Sequence, residues 1–411
     1  MPTEHMGAYR GRLGTVLSWA SIIDDNALEQ SLQIARGHIT RGHVAVMPDA
    51  HWGMGACVGT AIVTEGGIYP AAVGVDIGCG MVAAALNIKA ADLDIHQRRR
   101  LRRAIEERVP SGVGRNHAEI PDGWHEFHAE HGLAPSLADG WITSERQALD
   151  LVAAQQFGTL GAGNHFVELS EDEDGLLWAI VHSGSRGVGY TIARAHIKQA
   201  QVECADLDLE NRDLAFLGQA REGDSFDRYI ADMLWAQAYA WAQREEMLGQ
   251  VLVALTDEGL DPLEWQHIHC HHNYSERLEP GVWLSRKGAV DASAGRLAVL
   301  PGSMGTDTYI VRGLGNEASY NTAPHGAGRV SARGKPAKGN KAATGAHARF
   351  TIEEFASVMD ERGVVWQDRS ARDLLDESPM VYKPIEVVLA DSADLIEPVF
   401  RLQQIVNYKG V

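Results

Sequence analysis

Hydrophobic positions along this chain fall mostly into short runs punctuated by glycine, and only a few stretches carry a helical period. Glycine-broken strand patterns dominate residues 40–85, 157–190 and 280–335, and the apolar run Ile68 to Val75 reads as a buried strand. Clearer helices lie between them. Phe226, Ile230, Met233, Leu234, Trp241 and Leu248 share one face of a helix that Asp224 can cap and Gly249 can stop. Residues 92–108 and Thr191 to Ala205 read as two further helices. The polar stretch Arg115 to Gly140, with four histidines, and the acidic Glu171 to Gly175 read as surface excursions. No internal repeat or low-complexity linker divides the chain. The regular strand–helix alternation of a doubly wound sheet is missing, which predicts an α+β fold with a mainly antiparallel core. Candidate site residues fall on both sides of each excursion, so residues 1–411 are expected to form one domain.

Composition narrows the class. A hydrophobic content of 45% and a charged content of 22% suit a globular chain. The four cysteines, Cys57, Cys79, Cys204 and Cys270, are too scattered for a disulfide framework and point to a reducing, cytoplasmic setting. No basic-then-apolar leader and no apolar run of membrane-spanning length is present, so no membrane partner is expected. A formal charge of −18 argues against a general nucleic-acid coat. Two local basic stretches coexist with it: His96 to Arg103, read as a solvated helix face, and Arg329 to Arg349, read as a flexible basic loop that can touch phosphate.

The chemistry concentrates at glycine turns. In Gly74-Val75-Asp76-Ile77-Gly78-Cys79-Gly80 a carboxylate and a thiol stand three residues apart on a segment too glycine-rich for a helix. Histidines occupy similar settings in Gly163-Asn164-His165, His182-Ser183-Gly184, Cys270-His271-His272-Asn273 and Pro324-His325-Gly326. One thiolate, one carboxylate and three imidazoles suffice for two metal ions if Cys79 bridges them, with zinc or manganese both open on donor chemistry. Spacing leaves the choice between His271 and His272 open. No Walker loop and no clean G-x-G-x-x-G follows a strand. Gly326 and Gly328 could still offer backbone amides to a phosphate beside Arg329, and a neutral His325 there is a competent nucleophile toward phosphorus.

Taken in order, Met47-Pro48-Asp49-Ala50-His51, Val75 to Gly80, Gly158 to Phe166, His182 to Gly187, His271 to Tyr274, Pro301 to Gly305 and His325 to Arg329 strongly resemble the RtcB family of RNA-splicing ligases. The resemblance implies a GTP- and Mn²⁺-dependent ligase that joins RNA ends bearing a 3′-phosphate or 2′,3′-cyclic phosphate to 5′-hydroxyl ends. It implies two Mn²⁺ per chain, one held by Asp76, Cys79 and His272 and the other by Cys79, His165 and His182. His325 would carry GMP as a phosphoramidate. Asn164 would bind the triphosphate region, Glu168 and Lys409 would read guanine, and Gly302, Ser303, Met304, Ala327, Gly328 and Arg329 would line the nucleotide site. Asp49 and His51 are expected to orient metal ligands. An archease-like activator is a possible partner of such enzymes. Alternatives are a metal-dependent cyclic phosphodiesterase or end-capping paralogue on the same ligands, and a non-catalytic reader of RNA ends. A nucleophilic His325 argues against the phosphodiesterase, and the complete set of ligands and nucleophile argues against a mere reader.

Overall fold

The computed structural model describes residues 1–142, 146–220, 223–330, 351–367 and 374–410. The basic stretch expected at Arg329 to Arg349 lies outside the described residues from position 331 on. Two mainly antiparallel sheets form the frame. The six-stranded sheet runs Thr3–Tyr9, Arg12–Ser18, Thr40–His51, Val58–Glu65, Val282–Lys287, Asn273–Glu279. The eight-stranded sheet runs Glu264–His271, Gly80–Lys89, Leu176–Ser183, Phe166–Glu171, Ile396–Lys409, Thr308–Gly313, Leu297–Pro301, with Val365–Trp366 beside Ile396–Lys409. The α+β, mainly antiparallel architecture is the one the sequence pattern predicts.

Strand Gly80–Lys89 shows why the larger sheet reads as continuous apolar runs. Its Met81, Ala83 and Ala85 enter a core shared with Ala45, Met47, Ala61 and Leu284 of the smaller sheet. Val82, Ala84 and Leu86 enter a second core with Met247, Val251 and Leu255 of helix Ser225–Asp257. A strand buried on both faces has no polar face to alternate with.

Four local expectations change. The run Ile68 to Val75 is not a strand: pairing ends at Ile68, and Pro70 opens a short helix, Pro70–Val73, that Gly74 at φ 97° ends. The long helix does not stop at Gly249 but continues to Asp257, because Val251, Ala254 and Leu255 bury against the sheet and offset a single glycine. Its buried face carries Tyr229, Met233, Ala236 and Ala240, while Leu234 and Trp241 are exposed, and the Asp224 side chain pairs with Arg228 and makes no cap. Helix Arg186–Glu203 begins five residues before Thr191, within the glycine-serine turn itself. The Arg115 to Gly140 stretch holds helix Asp122–His131, whose Trp124 and Phe127 are buried against Phe157 and Tyr239. Among the described residues, no helix is long and apolar enough to cross a membrane.

Candidate functional site

The candidate ligands sit at neighbouring strand ends. Cys79 precedes strand Gly80–Lys89, His182 lies near the end of Leu176–Ser183, and His165 immediately precedes Phe166–Glu171. The register places Met81 and Phe166 opposite His182, and Gly80 opposite His271. Cys79 closes a turn through its N–H to the Asp76 carbonyl at 3.2 Å, and the His272 N–H donates to the Cys79 carbonyl at 2.7 Å. Gly78 makes this turn at φ 72° and packs so tightly that an added Cβ would lie 2.8 Å from the Ala240 methyl.

Five side chains converge there. Cys79 Sγ lies 3.4 Å from both His165 Nε2 and His182 Nε2. His165 Nε2 is 3.0 Å from Asp76 Oδ2, and His182 Nε2 is 2.9 Å from His272 Nε2. The ligand atoms of Cys79, His165 and His182 all lie within 4.8 Å of one another. His272, and not His271, faces this cluster; His271 Nδ1 turns to the Gly78 carbonyl at 2.8 Å.

The imidazole tautomers follow from partners that can only accept. His182 Nδ1 donates to the Asn164 carbonyl at 3.2 Å, and His165 Nδ1 to the Leu160 carbonyl at 2.9 Å. The Asn273 amide donates from Nδ2 to the Asp76 carbonyl and accepts at Oδ1 from the Gly288 N–H, so His272 Nδ1, 3.3 Å from that Oδ1, is also a donor. Burial first, and neighbouring imidazoles second, hold His182 and His272 well below the usual histidine pKa. Both rings are therefore neutral, and their Nε2 lone pairs face each other across 2.9 Å. Cations taken up by these lone pairs would turn that repulsion into attraction, so the donor set fits a metal centre. Burial would raise the Asp76 carboxyl, but the His165 hydrogen bond and charge, then Arg186, bring it down to about 2. Burial and then Asp76 push the Cys79 thiol up, while Arg244 opposes them.

His325 stands at the rim of this cluster, its ring 4.6 Å from that of His272. Its Nδ1 donates to Asp49 Oδ2 at 2.6 Å, and its N–H donates to the same oxygen at 3.0 Å. Asp49 thus orients His325, where the sequence suggested a role beside the metal ligands. His51 Nδ1 meets the Asp49 carbonyl at 3.0 Å, and burial lowers it to about 4. Lys383 brackets Asp49 by donating to the Pro48 and Ala50 carbonyls at 2.7 and 2.8 Å. Gly328, at φ 71°, lies against the Asp49 carbonyl where a Cβ would clash.

The residues expected around a nucleotide gather beside His325. Lys409 Nζ reaches the Asn164 carbonyl at 3.3 Å and Glu377 at 3.1 Å, and lies 4.9 Å over the Phe166 ring. Arg329 bonds the Asp376 carbonyl and stacks 5.1 Å over Tyr382, whose hydroxyl donates to Glu377 at 2.7 Å. The Met304 N–H meets the Glu377 carbonyl at 3.4 Å, the Ala327 N–H meets the Pro301 carbonyl at 3.0 Å, and Gly302 and Ser303 turn on Asp307 and Thr306. Glu168 is buried, accepts from Ser170 and Thr308 at 2.6 and 2.9 Å, and is pushed up to about 7 by burial. Sequence reasoning missed Lys383, Glu377, Tyr382 and the Asn273 amide as supports. Only Asn273 carried a signal, as the polar end of the His271-His272-Asn273 block.

Residues 30–410 match the family described as tRNA-splicing ligase RtcB. The RNA-splicing ligase RtcB1 of Escherichia coli (strain ATCC 25922) is 37% identical over 412 residues, covering 94% of this chain and 95% of the relative. The RNA-splicing ligase RtcB of E. coli K12 is 36% identical over the same span. The tRNA-splicing ligase RtcB of Pyrobaculum aerophilum is 27% identical over 440 residues, covering 89% and 87%.

Proposed function

The chain belongs to the RtcB family of RNA ligases, and from that premise we propose that it seals RNA 3′-phosphate or 2′,3′-cyclic phosphate ends to 5′-hydroxyl ends by way of a GMP adduct on His325. The observation that carries this reading is the 2.6 Å bond from His325 Nδ1 to buried Asp49, which leaves Nε2 as the ring's free lone pair beside His272. His325 Nε2 attacks the α-phosphorus of GTP, the bond to the β-phosphate oxygen breaks, and pyrophosphate leaves. Asp49 stabilises the positive charge that grows on the imidazole. A 3′-phosphate oxygen then takes the guanylyl group as the P–N bond breaks, and attack by the 5′-hydroxyl on the activated 3′-phosphorus expels GMP.

Asp76, Cys79 and His272 would hold one Mn²⁺, and Cys79, His165 and His182 the other. Such ions supply charge stabilisation for phosphoryl oxygens. Asn164 and Arg329 bind the phosphates in this reading, and Lys409 and Glu168 hold the base. The test incubates the protein with labelled GTP and Mn²⁺ and follows acid-labile label on the protein. Wild type is expected to form the adduct and His325→Ala none. Asp49→Ala should form it on the order of 10²-fold more slowly, the usual scale for losing a group that assists a proton-bearing nucleophile. Absence of adduct in metal-loaded wild type overturns the ligase reading.

A further inference from the structure

Beneath the metal loops lies a fully buried arginine that the mechanism does not use. Arg244, on helix Ser225–Asp257, directs three of its five N–H donors at Gly78, Ser183 and His269, on the chain segments that carry the candidate metal ligands. Its Nη1 donates to the Gly78 carbonyl at 2.7 Å and to the Ser183 carbonyl at 2.8 Å. Its Nε donates to His269 Nε2 at 2.8 Å, while His271 Nδ1, 3.1 Å from Nη2, gives its proton to the Gly78 carbonyl. Gly78, Ser183 and His271 are the immediate chain neighbours of Cys79, His182 and His272. The same helix adds Gln243, donating to the Gly184 carbonyl at 2.8 Å, and Gln237, accepting from the Ser275 N–H at 3.0 Å.

Among the described residues Arg244 makes no ion pair with a carboxylate, and an unpaired buried charge is costly. Its guanidinium is charged at neutral pH, as arginine is throughout the physiological range. Lysine could not replace it: a guanidinium spans three segments with a rigid planar fork, whereas an ammonium is a single point.

The outer end of the fork rules out a second metal site. Glu245, His267 and His269 group tightly enough to hold an ion. Arginine can only donate, however, so His269 Nε2 accepts and Nδ1 keeps its proton, which goes to Glu245 at 2.6 Å. His269 therefore has no lone pair left for a metal. It links Arg244 to the surface carboxylate, with Trp241 stacked 3.5 Å over its ring.

We propose that Arg244 is the positioning residue of the metal centre: its fork locks the backbone beside Cys79 and His182 into one geometry. The proposal rests on the metal reading given above, and its test separates the two. Mn²⁺ binding is measured by titration calorimetry on the full chain, and the thiolate-to-metal absorption band is recorded with Co²⁺. Arg244→Lys, folded by circular dichroism, is expected to bind Mn²⁺ about 10- to 100-fold more weakly, as losses of groups supporting metal ligands do. Its cobalt band should shift as the ligand geometry loosens. His269→Phe keeps the arginine and removes its Nε acceptor together with the bond to Glu245, and should weaken Mn²⁺ binding in the same direction by less. It decides the matter if the lysine variant does not fold. Wild-type affinity and an unshifted cobalt band in the folded variants overturn the role of Arg244. A wild-type protein that binds neither Mn²⁺ nor Co²⁺ overturns the metal reading and the proposal with it.

Discussion

Two imidazole lone pairs 2.9 Å apart define the chemistry at the residue scale, because a backbone carbonyl and an amide oxygen fix the proton of each ring on its other nitrogen. Glu168 shows how burial alone sets a group's state nearby. It titrates at about 7 in the folded protein against 4.5 when unperturbed. Between those values the folded form keeps a proton that the unfolded chain has lost, so stability falls as pH rises through this window and levels off above it. The loss is on the order of 3 kcal/mol, a net figure in which the bonds from Ser170 and Thr308 already oppose burial. Glu168→Gln, neutral throughout, should gain stability over wild type by a similar amount near about pH 8 and little near about pH 4. Urea unfolding of both proteins at the two pH values checks this, and a difference independent of pH would show that Glu168 is ionised in the fold.

At the element scale, helix Ser225–Asp257 is both scaffold and template. Its buried face closes one core, and Gln237, Gln243 and Arg244 reach from it to the loops that carry the candidate metal ligands. Gly249 interrupts its sequence but not its structure, since an added Cβ there would meet nothing within 4 Å. Gly249→Ala should therefore stabilise the protein by about 0.5–1 kcal/mol, measured as a raised urea midpoint with unchanged slope. A lowered midpoint would mean that the glycine serves a contact outside the helix. The same helix marks how far periodicity reaches. Its existence and start were legible, but its end and its buried stripe were not, because sheet contacts made by Val251 and Leu255 outweigh a local helix-breaking signal. The segment Ile68 to Val75 failed for the opposite reason: proline chemistry at Pro70 is local, and the apolar run masked it.

On the scale of the whole molecule, both sheets and their connecting loops supply the site. Asp49 ends a strand of the smaller sheet, Cys79, His165 and His182 belong to the larger, and His272 lies at the junction of strands from each. A shared thiolate makes the two expected ions interdependent. Cys79→Ala should accordingly lose occupancy at both positions, counted by elemental analysis after gel filtration in Mn²⁺. It should also lose most of the stabilisation that Mn²⁺ gives wild type, read as a raised melting temperature and worth about 2.7 kcal/mol per site at a hundredfold excess over Kd. Two ions per chain retained in the variant would remove the bridging role.

The sequence by itself determined the α+β class, the glycine turn at Asp76…Cys79 and the short roll of thiol, carboxylate and imidazole side chains, because turn chemistry and donor type are local properties. Spacing alone could not choose between His271 and His272, a choice that only the family resemblance made, nor could it assign Asp49 to His325 or single out Arg244. Those depend on which strand ends meet and which ring faces inward, and only long-range pairing of the sheets and the helix beneath them decides that.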